Sequence, residues 1–133
     1  MAGGDNKLIM GAFLGQFREL CADLDIVFKD DVDVRSATTA MRTLLSANPK
    51  LVVTTYHERV TVPYGAEFDR GNSTFFLRKD YTNDIQMENA SGILSKINAL
   101  REPISRLEPD CQSKVMKYFN NLSRLSTMLF AKS

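Results

Sequence analysis

The chain has 133 residues, 44% of them hydrophobic and 25% charged, and this balance is typical of a folded domain with a sizeable core. No stretch approaches the roughly 20 apolar residues of a membrane span, and the start MAGGDNK lacks the basic and apolar parts of a secretory signal. We therefore expect one intracellular, non-secreted domain comprising residues 1–133. Cys21 and Cys111 each lie on an apolar helical face and are expected to be buried free thiols.

The charge is unevenly distributed, although the formal net charge is only +1. Residues 1–93 contain 10 Lys or Arg and 13 Asp or Glu, whereas residues 94–133 contain 7 and 3. An acidic part and a basic part in one chain are compatible with a polar partner or with self-association. Chains of this size also show such differences without any function, so charge alone does not decide the matter.

Helical patterns dominate the first 60 residues, because apolar side chains recur there at three- and four-residue steps. The first helix is expected from about Asp5 to about Phe28, and its Gly11 and Gly15 are expected to face a closely packed neighbouring helix. The acids of the following segment KDDVDV are interpreted as caps of a second helix. A calcium loop would require further oxygen ligands, a glycine at its turn and a distal glutamate, which this segment lacks.

Asn48-Pro49 predicts a helix boundary, with Asn48 as the cap of a third helix that runs from Pro49 to about Val60. This helix contains His57, the only histidine of the chain. No second histidine, paired cysteine or nucleophile stands at a recognisable spacing from it, so we interpret His57 as an exposed or capping residue. The sequence predicts no catalytic, cofactor-binding or metal-binding residue.

Residues 62–83 are expected to form a packed, non-helical connector between two helical halves at about 5–60 and 84–131. The stretch Val62–Tyr81 contains one proline, two glycines and five aromatic residues. The aromatic side chains either anchor the connector to the core or form a surface for a protein partner: Tyr64, Phe68, Phe75, Phe76 and Tyr81.

The second half is predicted to contain the remaining helices. Asp84 is the expected cap of a long apolar pattern, and a kink or a meeting of two helices is expected near Arg101–Pro103. Glu108-Pro109-Asp110 is expected to open the last helix. The predicted fold class is all-α, a single-domain bundle of about five to six helices with a packed aromatic connector between its halves.

A basic stripe lies along the last predicted helix. Lys114, Lys117, Asn121 and Arg124 are spaced so that they share one helical face. The three cations of this stripe could contact the phosphates of a nucleic acid. No RNP-like aromatic strand, zinc pattern or glycine-rich phosphate loop accompanies them, and a solvated helix face is the simpler interpretation.

Several short motifs follow one another along the chain. In the N-terminal half they are FxxQF from Phe13 to Phe17, the Asp-Val start of the second helix, Asn48-Pro49, Val62-Pro63-Tyr64, Asp69, Phe75-Phe76-Leu77 and Asp80-Tyr81. In the C-terminal half they are Leu100, Leu107, Lys114, Val115, Tyr118, Phe119, Leu122 and Leu125. With these landmarks nearly the whole chain resembles a family of small helical proteins of nucleocytoplasmic large DNA viruses, the algal and giant viruses. The resemblance implies a helical fold and a setting in the infected host cell, either its cytoplasm or the virion.

These features lead to the hypothesis of a non-enzymatic viral protein, a structural or protein-interaction module that is virion-associated and binds another protein or a second copy of itself. The alternative is a nucleic-acid-associated accessory protein that uses the basic stripe. An enzyme is the third class considered, because Glu67 with Asp69, or Asp80 with Asp84, could form the pair of carboxylates that acid–base or metal chemistry uses. Helix capping explains these acids without a reaction. No cofactor and no membrane partner is expected.

Overall fold

The computed structural model describes residues 2–70 and 93–131, and every regular element in these two ranges is helical. The elements are α1 (Ala2–Val27), α2 (Val32–Ala47), α3 (Pro49–Tyr56), a π-helical segment (His57–Thr61), α4 (Val62–Asp69), α5 (Ile93–Ser105) and α6 (Pro109–Ala131). The predicted all-α helical bundle is therefore confirmed, and the predicted starts of the third and the last helix, at Pro49 and Pro109, agree with the structure.

Helices α1 and α6 form the centre of the bundle. Helix α1 packs along α6 and α2, and α2 in turn packs on α5. The continuous rod made of α3, the π segment and α4 lies against α6. Large apolar side chains that are almost fully buried fill the space between these helices: Phe13, Phe17, Leu20, Leu24, Met41, Leu45, Val52, Tyr56, Val60, Tyr64, Ile97, Leu100, Ile104, Phe119 and Leu122.

An aromatic cluster joins α1 to α3 at the centre of this core. The ring of Tyr56 lies edge-to-face on Phe13 and Phe17, with centroid separations of 5.5 Å and 6.1 Å. The two phenylalanine rings are 6.0 Å apart in the same arrangement. Edge-to-face contacts place the positive edge of one ring on the negative face of another, so they favour one relative orientation of α1 and α3 in addition to burying apolar surface.

Polar contacts fix the corner between α1 and α2. The backbone N–H of Val34 donates to Asp31 Oδ1 at 3.1 Å, which confirms a capping role within KDDVDV. Asp25 of α1 accepts hydrogen bonds from Thr38 and Arg42 of α2 at 2.5 Å and 2.8 Å. Burial alone would raise the pKa of the Asp25 carboxyl, but these two bonds and the nearby guanidinium charges hold the pKa below its usual value.

Asn48 lies at the predicted boundary, but its side chain makes no capping hydrogen bond. Its backbone N–H instead donates to the carbonyl of Leu44, at 2.8 Å, and its own carbonyl accepts from the N–H of Val52, at 3.2 Å. One residue thus ends α2 and begins α3 through its backbone. Pro49 follows at the first helical position, where its missing N–H costs no intrahelical bond.

The prediction of a non-helical connector is wrong for Val62–Asp69, which forms α4. Pro63 lies inside the rod, yet the turn before it is π-helical, and the N–H of Val62 bonds to the carbonyl of His57 five residues earlier. Proline has no N–H group that could donate to the carbonyl one helical turn before it. Because the preceding turn is wider, that carbonyl does not require this donor, and the helix continues. The remainder of the predicted connector, residues 71–83, lies outside the described residues.

The π segment also keeps the apolar face of the rod in register. Five large buried residues of the rod recur every four positions: Val52, Tyr56, Val60, Tyr64 and Phe68. In a regular α-helix each such step overshoots a full turn by about 40°, so the face would rotate by about 160° over four steps. The additional residue of a π turn removes about 100° of this rotation, and all five side chains remain buried.

Three smaller expectations differ from the structure. The helices of the second half meet at residues 106–108, beyond Pro103, which lies inside α5 near its end. Cys21 is buried as expected, but Cys111 is exposed, because the buried face of α6 begins only at Val115. A Cβ atom built on Gly11 or Gly15 would meet nothing within 4 Å, so these glycines do not mark a close helix contact in the described chain.

Candidate functional site

The structure divides the aromatic residues of the predicted partner surface. Tyr64 and Phe68, on α4, are only 1% and 6% exposed and belong to the core. Their burial agrees with the alternative in which these side chains anchor the segment to the core, and it excludes both residues from a partner surface. Phe75, Phe76 and Tyr81 lie outside the described residues.

The basic stripe of α6 is exposed but lies beside acidic side chains. Lys114, Lys117 and Asn121 line a groove of about 350 Å³ whose other wall, on α1, contains Glu19 and Asp23. The carboxylates of Glu19 and Asp23 across the groove reduce the positive potential that phosphate binding requires.

The third cation of the stripe already has a partner. Arg124 forms an ion pair with Asp69 of α4, with 3.3 Å between Nη2 and Oδ1. The other acid of the proposed carboxylate pair, Glu67, bonds to Arg70 at 2.9 Å. Glu67 and Asp69 thus form separate surface ion pairs instead of a converging pair, and Asp80 and Asp84 lie outside the described residues.

A buried polar layer connects the rod to α6. The Tyr56 hydroxyl donates to the carbonyl of Phe119 at 2.9 Å and lies 3.4 Å from Ser123 Oγ. One turn further along α6, Ser126 Oγ donates to the carbonyl of Ser123 at 3.0 Å and lies 2.7 Å from Thr61 Oγ1. Each hydroxyl has a partner, so the layer is compatible with burial.

His57 completes this layer at its outer edge. Its Nδ1 lies 3.1 Å from Ser126 Oγ, and its ring stacks on Phe130 with 4.3 Å between centroids. The tautomer of His57 decides which of these two groups donates the hydrogen bond. Burial lowers the pKa of His57, and the charge of Glu58 opposes this effect.

A serine beside a histidine is also the arrangement of a nucleophile and its base. Ser126 is fully buried, however, at 0% exposure, so a substrate does not reach it in this fold. The layer has a structural role that the sequence patterns did not reveal, because Ser123 and Ser126 are polar positions on an otherwise apolar face.

The corner between α1 and α2 is the feature that sequence reasoning missed. Ile26, Val27 and Val32 are 72%, 49% and 78% exposed, and we call these three residues the apolar corner. Val27 and Val32 also line a shallow cavity of about 530 Å³ together with Phe28 and the turn residues 29–31. Large neighbouring apolar side chains at a surface are typical of sites that bind another molecule.

No helix of the described ranges is both long and apolar enough to cross a membrane. Within the same ranges no group of three or more His, Cys, Asp or Glu side chains has a geometry that could hold a metal ion. No protein-family model matches the chain, and no curated protein or solved structure matches it significantly. The class that the geometry defines is therefore that of an all-α helical bundle.

Proposed function

We propose that the chain is a non-enzymatic protein-interaction module and that it binds a partner protein through the apolar corner. The observation that carries this proposal is the exposure of Val27 and Val32, which line one cavity, and of the adjoining Ile26. Burial of apolar surface in an interface contributes about 25 cal/mol per Å², so these side chains would stabilise a complex.

The other polar groups support an interaction role over catalysis. The Ser126 hydroxyl is buried, and Glu67 and Asp69 are engaged in surface ion pairs. The acids opposite Lys114 and Lys117 favour a protein partner over a nucleic acid. The resemblance to the proteins of nucleocytoplasmic large DNA viruses supports the infected cell, and within it the virion, as the place of this interaction.

Position-specific photo-crosslinking in infected cells tests the proposal. A photoreactive amino acid replaces Lys29, which is exposed in the turn beside the apolar corner and leaves the three apolar residues intact. We expect a discrete protein adduct from position 29. The same probe at Thr39, exposed further along α2, should give none.

A second chain carries the probe at position 29 together with Ile26→Ser and Val32→Ser. Its adduct should disappear while its helical circular dichroism spectrum remains unchanged, because both residues are exposed. An adduct that survives both substitutions, or equal adducts from positions 29 and 39, would contradict the proposed interaction surface.

A further inference from the structure

We propose that the occupant of the apolar corner is a basic segment of the partner protein that carries aliphatic side chains between its lysines or arginines. This inference rests on the proposed function and adds the chemistry of the partner. It follows from two independent features of the corner, the shape of its apolar part and the charge that surrounds it.

The apolar part has the form of an anchor site. Phe28 packs against the core with one part of its ring, and the shallow cavity lies beside it. Val27 and Val32 stand on the two sides of the turn and line the same cavity. An aliphatic side chain of a partner would contact all three residues at once, whereas a fully polar segment would leave them as exposed as they are now.

The charge around this site is acidic. Residues 23–33 contain five aspartates and one lysine. Three of the aspartates are engaged: Asp23 accepts a hydrogen bond from Tyr118, Asp25 accepts bonds from α2, and Asp31 caps α2. The charge of Asp25 is also paired with Arg42, and Asp23 lies across a groove from Lys114 and Lys117. The acidic character of the corner therefore comes mainly from Asp30, Asp31 and Asp33.

Two aspartates remain available to a partner. Asp30 and Asp33 are exposed, and no ion pair joins either of them to another residue in the described part of the chain. Lys96 and Arg106 line one cavity with Asp33 without forming an ion pair to it. The guanidinium of Arg35 is directed at the carbonyl of Lys29 at 3.3 Å. Free carboxylates beside an apolar anchor site favour lysines and arginines that flank the anchor.

The same charges argue against other occupants. A nucleic acid would bring its phosphates next to Asp30 and Asp33, which repel them. In a second copy the basic stripe is not available to this site, because Lys114 and Lys117 face acids of their own α1 and Arg124 is paired with Asp69. A basic protein segment satisfies both the apolar part and the acidic rim.

Binding of synthetic peptides to the full chain, followed by amide chemical shifts, tests the proposed chemistry. Three peptides of equal length are compared: an amphipathic one made of leucine and lysine, its counterpart of leucine and glutamate, and one of serine and lysine. We expect the leucine–lysine peptide alone to shift the amides of residues 26–33. Its affinity should fall as salt rises, because exposed charge pairs are screened.

Matched variants separate the two parts of the site. Val32→Ser should weaken the leucine–lysine peptide about tenfold, whereas Leu8→Ser, at a side chain of similar exposure on the other end of α1, should have no effect. Asp30→Asn with Asp33→Asn should weaken it about threefold to tenfold, whereas Glu58→Gln with Glu108→Gln, both also exposed, should not.

The outcomes distinguish this inference from the proposed function. Equal binding of the leucine–glutamate peptide at the corner would overturn the basic chemistry, although the crosslink from position 29 could still show an interaction module. Equal adducts from positions 29 and 39 would refute the interaction module itself. Sedimentation that shows dimers of this chain, dissolved by Val32→Ser, would also overturn the inference, because a second copy would then occupy the corner.

Discussion

Tyr56 combines two kinds of stabilisation in one side chain. Its ring packs on two phenylalanines of α1, while its hydroxyl bonds to the backbone of α6, so the residue connects three helices. Burial strongly raises the pKa of this phenol, which therefore remains a hydrogen-bond donor at any pH at which the protein is folded.

Tyr56→Phe separates the two contributions. The ring contacts remain and the buried hydrogen bond to the Phe119 carbonyl is lost, so we expect the free energy of unfolding to fall by about 1–2 kcal/mol in urea denaturation. Tyr118→Phe is the matched control, because its hydroxyl bonds to Asp23 at the surface. Its cost should be about 0.5 kcal/mol or less, and equal costs for the two variants would contradict the distinction.

His57 makes the stability depend on pH near neutrality. Because burial lowers its pKa in the folded state below the ordinary value of 6.5, the unfolded chain binds the proton more readily. The contribution of His57 is fully present above this ordinary value and is lost as the pH falls below it.

Urea denaturation between about pH 7.5 and about pH 5.5 measures this effect. We expect the free energy of unfolding to decrease towards the lower pH, and His57→Gln should make the dependence flatter in this window. Greater stability of the natural chain at the lower pH would show that stacking on Phe130 favours the imidazolium, contrary to this expectation.

At the level of elements, the π segment is the feature that allows α3 and α4 to act as one rod. It provides the wide turn before Pro63 and the rotation that keeps a four-residue apolar repeat on one face. Both effects arise because the π turn contains one residue more than an α-helical turn.

Removal of that residue together with the proline should convert the rod into a regular α-helix. Deletion of Glu58 combined with Pro63→Ala shortens the spacing from Tyr56 to Val60 to three residues, which an α-helix places on the same face. We expect a folded protein with cooperative thermal unfolding, followed by circular dichroism.

Deletion of Thr39, an exposed residue within α2, is the control for this experiment. It rotates Met41 and Leu45 by about 100° out of the core and should abolish cooperative unfolding. If the two deletions destabilise the protein equally, the π segment does not contain a removable residue.

At the level of the whole molecule, α6 is the helix on which the others depend. It contacts α1, α3, the π segment, α4 and α5, and it contributes Val115, Phe119 and Leu122 to the core. A chain that ends at Glu108 should therefore lose cooperative unfolding and the dispersion of its amide resonances, because α1 and the rod would expose their apolar faces. Cooperative unfolding of the shortened chain would show that α1, α2 and the rod form a stable core of their own.

The parts of the fold that sequence reasoning predicted correctly share one property. In α1 and α2 the apolar residues follow the α-helical period, so local pattern and tertiary structure agree, and Asp31 caps α2. Helix α1 begins at Ala2, before the start predicted at Asp5. The rod was predicted only as far as Val60, because the proline and glycines that follow are signals against an α-helix, and Pro63 becomes compatible with the rod through a π turn.

The candidate site was not predicted at all. Ile26, Val27 and Val32 look like core residues in the sequence, since they are apolar and lie next to helical patterns. Their exposure depends on where α1 ends and in which direction the chain turns into α2. For Tyr64 and Phe68 the sequence left a core position and a partner surface as alternatives, and the rod directs both side chains into the core.

The sequence by itself determined the helical class, the boundaries at Pro49 and Pro109 and the core faces of α1 and α2, because these follow from local periodicity and from backbone chemistry at prolines and caps. The tertiary structure alone decided which polar groups form the buried layer around Ser126, which charges neutralise the basic stripe and which apolar residues remain exposed. These properties arise between residues that are distant in sequence, and a distance across the fold is set by the packing of whole helices against one another.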